Sequence, residues 1–261
     1  MIKKIRCFRI YIFMSRIVLT AASRVGCVRS NNEDMVLAYD KFVRSDAYHT
    51  EFMTENTERF VVALADGMGG HRAGEVASEQ TLASLKFFIS DIPRGLSVGE
   101  FEETMMEWLQ CINNSINRQG HSDPSKLEMG TTLVAVIYYG GKYFWLNCGD
   151  SRLYRLRDGK LIQISTDHSL INAKGEKKHS NIITNCIGAG CKNSYLDLFE
   201  FTADFLPGDT YLLCSDGLND MVNDKDIEKL MNEGCTANRL CEEAIEAGGF
   251  DNVSTCVIRV E

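Results

Sequence analysis

Residues 130–164 read GTTLVAVIYYGGKYFWLNCGDSRLYRLRDGKLIQI. Short runs of apolar or alternating residues within this stretch predict four β-strands, at 131–138, 142–148, 151–156 and 160–164. Gly140-Gly141 and Asp158-Gly159 separate two pairs of these strands, and such dipeptides suit the positive φ angles of two-residue hairpin turns. The stretch therefore predicts an antiparallel meander.

The chain on either side of the meander adds further strands and two pairs of helices. Apolar spacing predicts helices at 73–90, 99–118, 224–232 and 236–247. β-branched and apolar runs predict strands at 16–28, 34–40, 58–65, 182–187, 196–202, 209–215 and 252–260, and residues 165–181 are interpreted as a loop with room for a short helix. Long βαβ alternation is absent, which argues against a doubly wound sheet. We predict an α+β fold, a central antiparallel β-sandwich flanked by helical hairpins on both faces in four αββα layers.

The length of 261 residues permits one or two domains, but only three prolines occur and no Ser/Gly/Pro-rich stretch divides the chain. We predict a single domain over residues 16–261, preceded by a basic, loosely ordered extension at 1–15. The apolar run at 10–14 is far shorter than the roughly 20 residues of a membrane span, so none is expected. Met14 as the true start is a hypothesis that the mass of the natural protein would test.

Charge and cysteine content narrow the class of protein. A net charge of −8 argues against binding to nucleic acid, which normally requires a basic face. Ten cysteines lack the CxxC spacing of zinc or redox sites, and a chain of this size does not need a disulfide framework. Buried free thiols in a reducing cytoplasm are the expected state.

Acidic residues follow two predicted buried strands. Val61 to Ala65 runs into Asp66-Gly67, and Tyr211 to Ser215 runs into Asp216-Gly217. Each pair alone is ordinary turn chemistry, and Gly217 is interpreted as a turn residue only. Together with Asp150 and Asp251, however, these aspartates could converge into the oxygen-rich pocket that hard divalent cations prefer.

The order of short motifs resembles a known family. Arg29-Ser30-Asn31-Asn32-Glu33-Asp34, Asp66-Gly67-Met68-Gly69-Gly70, Gly130-Thr131-Thr132, Asn147-Cys148-Gly149-Asp150-Ser151-Arg152, Ser215-Asp216-Gly217 and Asp251-Asn252-Val253-Ser254 occur in sequence. The chain from about 17 to 260 resembles the type 2C metal-dependent protein serine/threonine phosphatases, the PPM family, in their bacterial form. The resemblance implies the same αββα sandwich.

The resemblance also implies roles for the acidic residues. Asp66 would bridge two Mn²⁺ or Mg²⁺ ions and, with Asp216 and Asp251, form the catalytic centre. The carbonyl of Gly67 would bind one ion, and Glu33 would bind the same ion through water. Asp150 would bind a weaker third ion, and Arg29 would bind the substrate phosphate. Asp34 and Asn252 would orient the ligands. Two adjacent cations activate a water and stabilise both oxygens of an in-line displacement. A hairpin role for Asp150 and a surface role for Arg29 remain alternatives.

The chain departs from the family pattern at two places. The resemblance to animal members of the family implies an Asp-Gly-His motif at 66–68, but Met68 takes the place of the histidine. A thioether cannot donate the proton that the leaving group needs. Water at the ions is the preferred donor, since His71 sits at a helix start and His168 is expected to order a loop. The flap at about 168–187 is shorter than in bacterial relatives, which would leave the metal cleft more open and alter substrate choice and affinity for the third ion. The alternative for its Lys174, Lys177 and Lys178 is a solvated charge run.

The sequence thus predicts a cytoplasmic, monomeric protein phosphatase that hydrolyses phosphoserine and phosphothreonine monoesters and opposes a protein kinase. Two alternatives are a non-catalytic phosphoprotein-binding module on the same fold and a phosphatase of small phosphate esters. Loss of a metal aspartate would favour the first alternative, and none is lost. The second would share the chemistry at phosphorus and differ only in the surface around the cleft.

Overall fold

The computed structural model describes residues 15–69, 73–170 and 182–261. A first six-stranded sheet contains β1 (Arg16–Arg24), β4 (Ala47–Met53), β10 (Arg152–Arg157), β11 (Lys160–Gln163), β14 (Thr210–Cys214) and β15 (Val253–Val260). A second contains β2 (Met35–Ala38), β3 (Lys41–Val43), β5 (Arg59–Ala65), β8 (Leu133–Tyr139), β9 (Lys142–Cys148) and β13 (Asp197–Glu200). A small third sheet contains β6 (Gly67–Met68), β7 (Gly130–Thr131) and β12 (Ile187–Gly188).

All neighbouring strands in these sheets are antiparallel. The strand orders are β11-β10-β14-β15-β1-β4, β13-β9-β8-β5-β2-β3 and β12-β7-β6. The helices are α1 (Ala73–Asp91), α2 (Val98–Ser122), α3 (Asp216–Asn219), α4 (Asp224–Asn232) and α5 (Ala237–Glu246), with single 3₁₀ turns at Thr54–Asn56, Pro124–Lys126 and Thr202–Asp204. Ser97 and Glu100 form a capping box that starts α2.

The core has three layers, and alternation along the strands produces them. In β5, Val61 and Ala63 face α1 and α2, whereas Val62 and Leu64 face the first sheet. A third apolar layer joins the outer face of the first sheet to α3, α4 and α5. Because both faces of each sheet are covered, the central strands are nearly continuously apolar. The predicted α+β fold with four αββα layers is confirmed.

The two hairpins of the meander have the predicted turn chemistry. Gly140 and Gly141 have φ angles of 57° and 82°, and Asp158 and Gly159 have φ angles of 50° and 77°. Positive φ at both central residues is the requirement of a type I′ turn, which matches the twist of antiparallel strands. The turns therefore join β8 to β9 and β10 to β11 in register.

The prediction was incomplete at the edges. Strand β4 was missed because it is an edge strand whose exposed and half-buried residues alternate, without the apolar run of a central strand. The predicted strand 182–187 is reduced to an isolated bridge at Ile183 and the two residues of β12. The predicted strand 16–28 ends at Arg24, where its pairing with β15 ends.

Among residues 15–69, 73–170 and 182–261, no helix combines the length and apolar character that crossing a membrane requires. Residues 1–14 and 171–181 lie outside the described residues, as do Gly70, His71 and Arg72. The predictions for the N-terminal extension, for His71 and for the flap lysines therefore have no structural counterpart here.

Candidate metal and phosphate site

Strand register gathers the predicted site residues at one end of the sandwich. In the first sheet, Arg24 pairs with Val253 and Cys214 pairs with Thr255. The chain before β15, the chain after β1 and the chain after β14 consequently leave the sheet on the same side. Arg152 pairs with Cys214, so the β9–β10 connection reaches this side as well. The loops that carry Arg29, Asp150, Asp216 and Asp251 therefore meet at one edge.

The second sheet contributes its residues at the same edge. Asp66 follows β5, and its neighbour Ala65 pairs with Met35, the residue after Asp34. The backbone at Asp66 is held on both sides, because its N–H donates to Oγ1 of Thr132 at 3.0 Å and its carbonyl accepts from the N–H of Thr132 at 2.9 Å. Oγ1 of Thr131 donates to the same carbonyl at 2.8 Å. These bonds hold the end of β5 in place at the same edge. We call this edge of the sandwich, where the loops of both sheets meet, the cleft.

Gly67 occupies a site where a side chain does not fit. A Cβ atom there would lie 2.2 Å from the carbonyl oxygen of Gly74 in α1 and 2.5 Å from the carbonyl oxygen of Glu33. Both obstacles are backbone atoms, which cannot rotate away. The glycine therefore allows α1, the Asp66 loop and the Glu33 loop to approach each other closely.

Gly67→Ala is expected to destabilise the protein by roughly 3 kcal/mol, the range found when a well-packed site is overfilled. Gly99→Ala is the matched control, because Gly99 lies in α2 and no atom of the part of the chain that the structure describes would lie within 4 Å of its Cβ. That change should stabilise by roughly 0.5 kcal/mol, since alanine restricts the unfolded chain and favours the helix. Urea unfolding of both variants checks the contrast, and equal stabilities would contradict it.

Glu33 lies against the start of α1. The N–H of Gly74 donates to its carboxylate, and Oγ of Ser78 donates to its carbonyl at 2.6 Å. Arg44 holds the same region, because its guanidinium pairs with Oε1 of Glu75 at 3.0 Å and donates to Oγ of Ser78 at 3.1 Å. The carboxylate of Glu33 therefore has a defined position beside the helix N-terminus. Burial raises the pKa of Glu33, and the charge of Arg29 opposes that shift.

Asp34 is buried beneath the cleft with one oxygen satisfied and one not. Oδ2 accepts from Oγ of Ser215 at 2.8 Å, whereas Oδ1 is fully buried and has no hydrogen-bond partner among the described residues. Burial raises the pKa of Asp34 to about 7, and the nearby charges of Asp216 and Asp251 add to this effect.

The side chain of Asn252 ties three segments of the chain together. Its Oδ1 accepts from the N–H of Glu33 at 2.8 Å. Its Nδ2 donates to the carbonyls of Val25 and Asn31 at 3.0 and 2.8 Å.

Like charge accumulates around Asp66. Burial raises its pKa well above the ordinary value, and four further aspartates raise it more, namely Asp34, Asp216, Asp150 and Asp251. Burial also raises the pKa of Asp216 to about 6, while a hydrogen bond with Asp66 partly lowers it. Burial raises the pKa of Asp150 to about 7, helped by the charge of Asp216. Concentrated negative charge of this kind favours a bound cation.

Asp150 follows an anchored turn. Gly149 has a φ angle of 123°, and its N–H donates to Nδ1 of His168 at 3.1 Å. Nε2 of His168 lies 3.0 Å from Oδ2 of Asp197, which holds the ring from the other side. The expectation that His168 orders a loop is confirmed, and the loop that it orders is the one that positions Asp150.

Arg29 reaches the acidic cluster directly. Its Nη2 lies 2.6 Å from Oδ2 of Asp251, and both side chains are partly exposed at the cleft mouth. A guanidinium in this position presents its remaining donors to any anion that enters the cleft. The contact joins residues that lie 222 positions apart in the sequence.

The chemistry of these side chains fits divalent cations, although the side chains do not stand in the geometry of a complete coordination site. Within residues 15–69, 73–170 and 182–261, no three Asp, Glu, His or Cys side chains lie at the spacing of a formed metal site. Asp251 is turned toward Arg29, and the carboxylates near Asp66 repel one another. The unpaired buried oxygen of Asp34 and the carboxylates around Asp66 supply hard oxygen donors alone.

Gly217 was wrongly interpreted as a turn residue. It is the second residue of α3, and a Cβ atom there would lie 1.9 Å from the carbonyl oxygen of Asn252. Its function is close approach between α3 and the Asp251 loop. Ser215, Ser78 and Thr132 were also missed as supports of the site, although Thr132 and Ser215 stand in two of the quoted motifs.

Fold and site together define a class, that of αββα sandwiches whose carboxylates collect at one edge of two packed sheets. The sequence profile of the protein phosphatase 2C family matches residues 38–246, which is most of the chain. The chain belongs to the protein phosphatase 2C family.

Curated bacterial relatives support the membership of this chain in the family. The serine/threonine protein phosphatase PstP of Mycobacterium tuberculosis is 34% identical over 95% of this chain, and the chain spans 46% of the length of PstP. The serine/threonine phosphatase Stp of Listeria monocytogenes is 33% identical over 76% of this chain and 83% of its own length.

Solved structures of bacterial serine/threonine phosphatases share the fold of this chain. The serine/threonine phosphatase of S. agalactiae superposes with a TM-score of 0.79 at 28% identity, covering 94% of this chain and all of the other. The catalytic domain of PstP, solved in complex with two manganese ions, superposes with a TM-score of 0.70 at 34% identity and covers 94% of this chain and 99% of its own.

Proposed function

We propose that this chain is a Mn²⁺- or Mg²⁺-dependent phosphatase that hydrolyses phosphoserine and phosphothreonine in proteins. The observation that carries the proposal is the group of carboxylates, half-buried apart from the buried Asp34, whose charges converge on Asp66 near the guanidinium of Arg29. Two bacterial relatives with serine/threonine phosphatase names support the substrate class.

The proposed assignment of ligands follows the family motifs. Asp66 would bridge two ions, Asp216 and Asp251 would complete one of them, and the other would take the carbonyl of Gly67 and, through water, Glu33. Asp150 would hold a weaker third ion with Asp216. When bound, such ions supply a nucleophile from water at neutral pH and stabilise the charge that develops on the transferred phosphoryl group.

Side chains of the protein position the substrate phosphate and the metal ligands. Arg29 binds the substrate phosphate through its fork of N–H donors and thereby exchanges its contact with Asp251 for a contact with substrate. Asp34 and Asn252 hold the ligand loops in register, through Ser215 and the N–H of Glu33 respectively. Met68 lies beside Gly67 and supplies no proton, so water at the site would be the preferred donor of the proton to the leaving group.

Domain, partner and location belong to the same proposal. Residues 16–261 would form one catalytic domain with a short flap at about 168–187, preceded by the extension at 1–15. The protein would act as a monomer in the cytoplasm against a protein kinase. Nine described cysteines are free thiols, which supports a reducing compartment.

Arg29→Lys is expected to raise KM for a phosphothreonine peptide about tenfold, because an ammonium cannot make the paired hydrogen bonds of a guanidinium to phosphate. Manganese affinity should change much less. Arg118→Lys is the control, an equal exchange on an exposed position of α2. Steady-state kinetics and Mn²⁺ titration of both variants test the assignment, and an unchanged KM in Arg29→Lys would remove Arg29 from the phosphate site.

The proposed function as a whole is tested by Mn²⁺-dependent release of phosphate from a phosphothreonine peptide, measured before and after chelation. Hydrolysis that disappears on chelation and returns with Mn²⁺ is the expected result. A protein that binds the peptide without hydrolysing it under any of these conditions would be the non-catalytic module instead.

A further inference from the structure

Two loops run side by side at the mouth of the cleft. The first mouth loop is 25–29, which follows β1, and the second mouth loop is 248–251, which precedes β15. The N–H of Cys27 donates to the carbonyl of Gly249 at 2.7 Å. The loops fit together so closely that a Cβ atom on Gly26 would lie 2.2 Å from the carbonyl oxygen of Asp251. Their relative register is therefore defined.

This register places two apolar side chains beside the phosphate site. Val28 lies between the Cys27 contact and Arg29, and Phe250 lies directly before Asp251, whose carboxylate contacts Arg29 at 2.6 Å. Val28 is 65% exposed and Phe250 is 63% exposed. Single exposed apolar residues are common on protein surfaces. These two precede, in sequence, the two members of the ion pair at a proposed phosphate site, so both offer exposed apolar surface to a molecule bound there.

The aromatic ring of Phe250 packs close to the backbone of Gly248. A Cβ atom on Gly248, whose φ angle is 137°, would lie 3.3 and 3.4 Å from two carbons of the ring and 3.8 Å from Sδ of Met221. The glycine thus leaves space that the ring covers, with the thioether next to it. We call Val28, Phe250 and Met221 the apolar ledge.

We propose that the apolar ledge binds an apolar side chain directly next to the phosphorylated serine or threonine of a substrate protein. This inference rests on the proposed phosphatase function. Consecutive Cα atoms are about 3.8 Å apart, so a residue adjacent to the phosphorylated one lies within reach of the residue adjacent to Arg29. Val28 and Phe250 are bonded directly to Arg29 and Asp251, the two residues of the ion pair at the phosphate site, which favours part of the same substrate as the occupant of the ledge.

The charge around the apolar ledge disfavours an acidic side chain next to the phosphorylated residue of the substrate. Asp251 and Glu33 lie close to Arg29, and the protein carries a net charge of −8. A carboxylate next to the phosphorylated residue would meet like charge, whereas an aliphatic or aromatic side chain loses water from both surfaces when it contacts the ledge.

Two phosphothreonine peptides that are identical except for leucine or serine at both flanking positions test the proposal. The wild-type protein should hydrolyse the leucine peptide with a kcat/KM about tenfold higher, the usual range for one apolar contact in a binding site. The double variant Val28→Ser/Phe250→Ser should reduce this preference below about twofold. Phe250→Leu, which keeps an apolar surface, should retain most of it. Circular dichroism and stabilisation by Mn²⁺ verify that each variant is folded.

Phe87→Ser is the matched control, because Phe87 is 70% exposed and lies 14 residues along α1 from Ala73, about 21 Å from the helix start. It should keep the wild-type preference. Equal hydrolysis of both peptides by the wild type, or a preference that survives in the double variant, would overturn this inference alone. Hydrolysis of neither peptide would overturn the phosphatase function and this inference with it. A wild-type dimer that the double variant converts to a monomer would assign the ledge to a second copy of the chain and overturn the inference.

Discussion

Asp216→Asn is expected to lower Mn²⁺-dependent release of phosphate about a thousandfold. The substitution keeps the size of the side chain but removes the charge of a residue that contacts Asp66 and lies at the start of α3. A cation that stabilises a developing phosphoryl charge contributes several kcal/mol, and about 4 kcal/mol corresponds to a factor of a thousand in rate. Initial rates with a phosphothreonine peptide at saturating Mn²⁺ give the measurement.

The control for Asp216→Asn is Asp158→Asn, the same chemical change in the β10–β11 turn at the far end of the first sheet. Asparagine tolerates the φ angle of 50° at that position, so fold and activity should be retained. Titration with Mn²⁺, followed by thermal unfolding, separates a loss of metal affinity from a loss of chemistry. Activity that survives both chelation and Asp216→Asn would contradict the two-ion mechanism.

The metal-free protein is expected to lose stability as the pH rises from about 4 to 7. Burial raises the folded-state pKa of Asp34 to about 7, whereas the unfolded chain has an ordinary carboxyl with a pKa near 4. Between these values the folded protein keeps a proton that the unfolded chain has released. The free energy of unfolding therefore falls with rising pH, by about 1.4 kcal/mol per pH unit for each such group.

Asp34→Asn isolates this contribution, because the amide does not titrate. In the presence of a chelator, the variant should show a slope of unfolding free energy against pH that is less negative by about 1.4 kcal/mol per unit between about pH 5 and 6. Urea unfolding at several pH values provides the slopes. Saturating Mn²⁺ should oppose the fall with pH in both proteins, since cations bind the ionised carboxylates. Parallel slopes without metal would show that Asp34 is not a buried proton acceptor.

Local chemistry explains which features the sequence could predict. Gly140-Gly141 and Asp158-Gly159 determine turns through the φ angles that they allow, so both hairpins were predictable. The apolar run before Asp66 is long enough to require burial, and the motif order indicated the family. Edge strand β4 was not predictable, because its side chains alternate only weakly between exposed and half-buried.

Contacts across the chain could not be predicted from these local patterns. Ser215 donates to Asp34 from 181 positions away, and nothing in either residue's neighbourhood indicates the partner. Gly217 has the same local pattern as a turn glycine, and only the carbonyl of Asn252 at 1.9 Å from its Cβ position reveals why glycine is needed.

The sequence by itself determined the layers, the turns and the types of side chain available for the site, because alternation, φ preference and the identity of an acid are properties of short segments. The tertiary structure decided which of these residues meet. Strand register brings Asp66, Asp150, Asp216 and Asp251 to one edge. Desolvation of Asp66 and the charges of its neighbours together raise its pKa, an effect that no single aspartate in water would show. Only the tertiary structure brings the loops of Val28 and Phe250 together, because the Cys27–Gly249 hydrogen bond and the Arg29–Asp251 ion pair each join residues 222 positions apart.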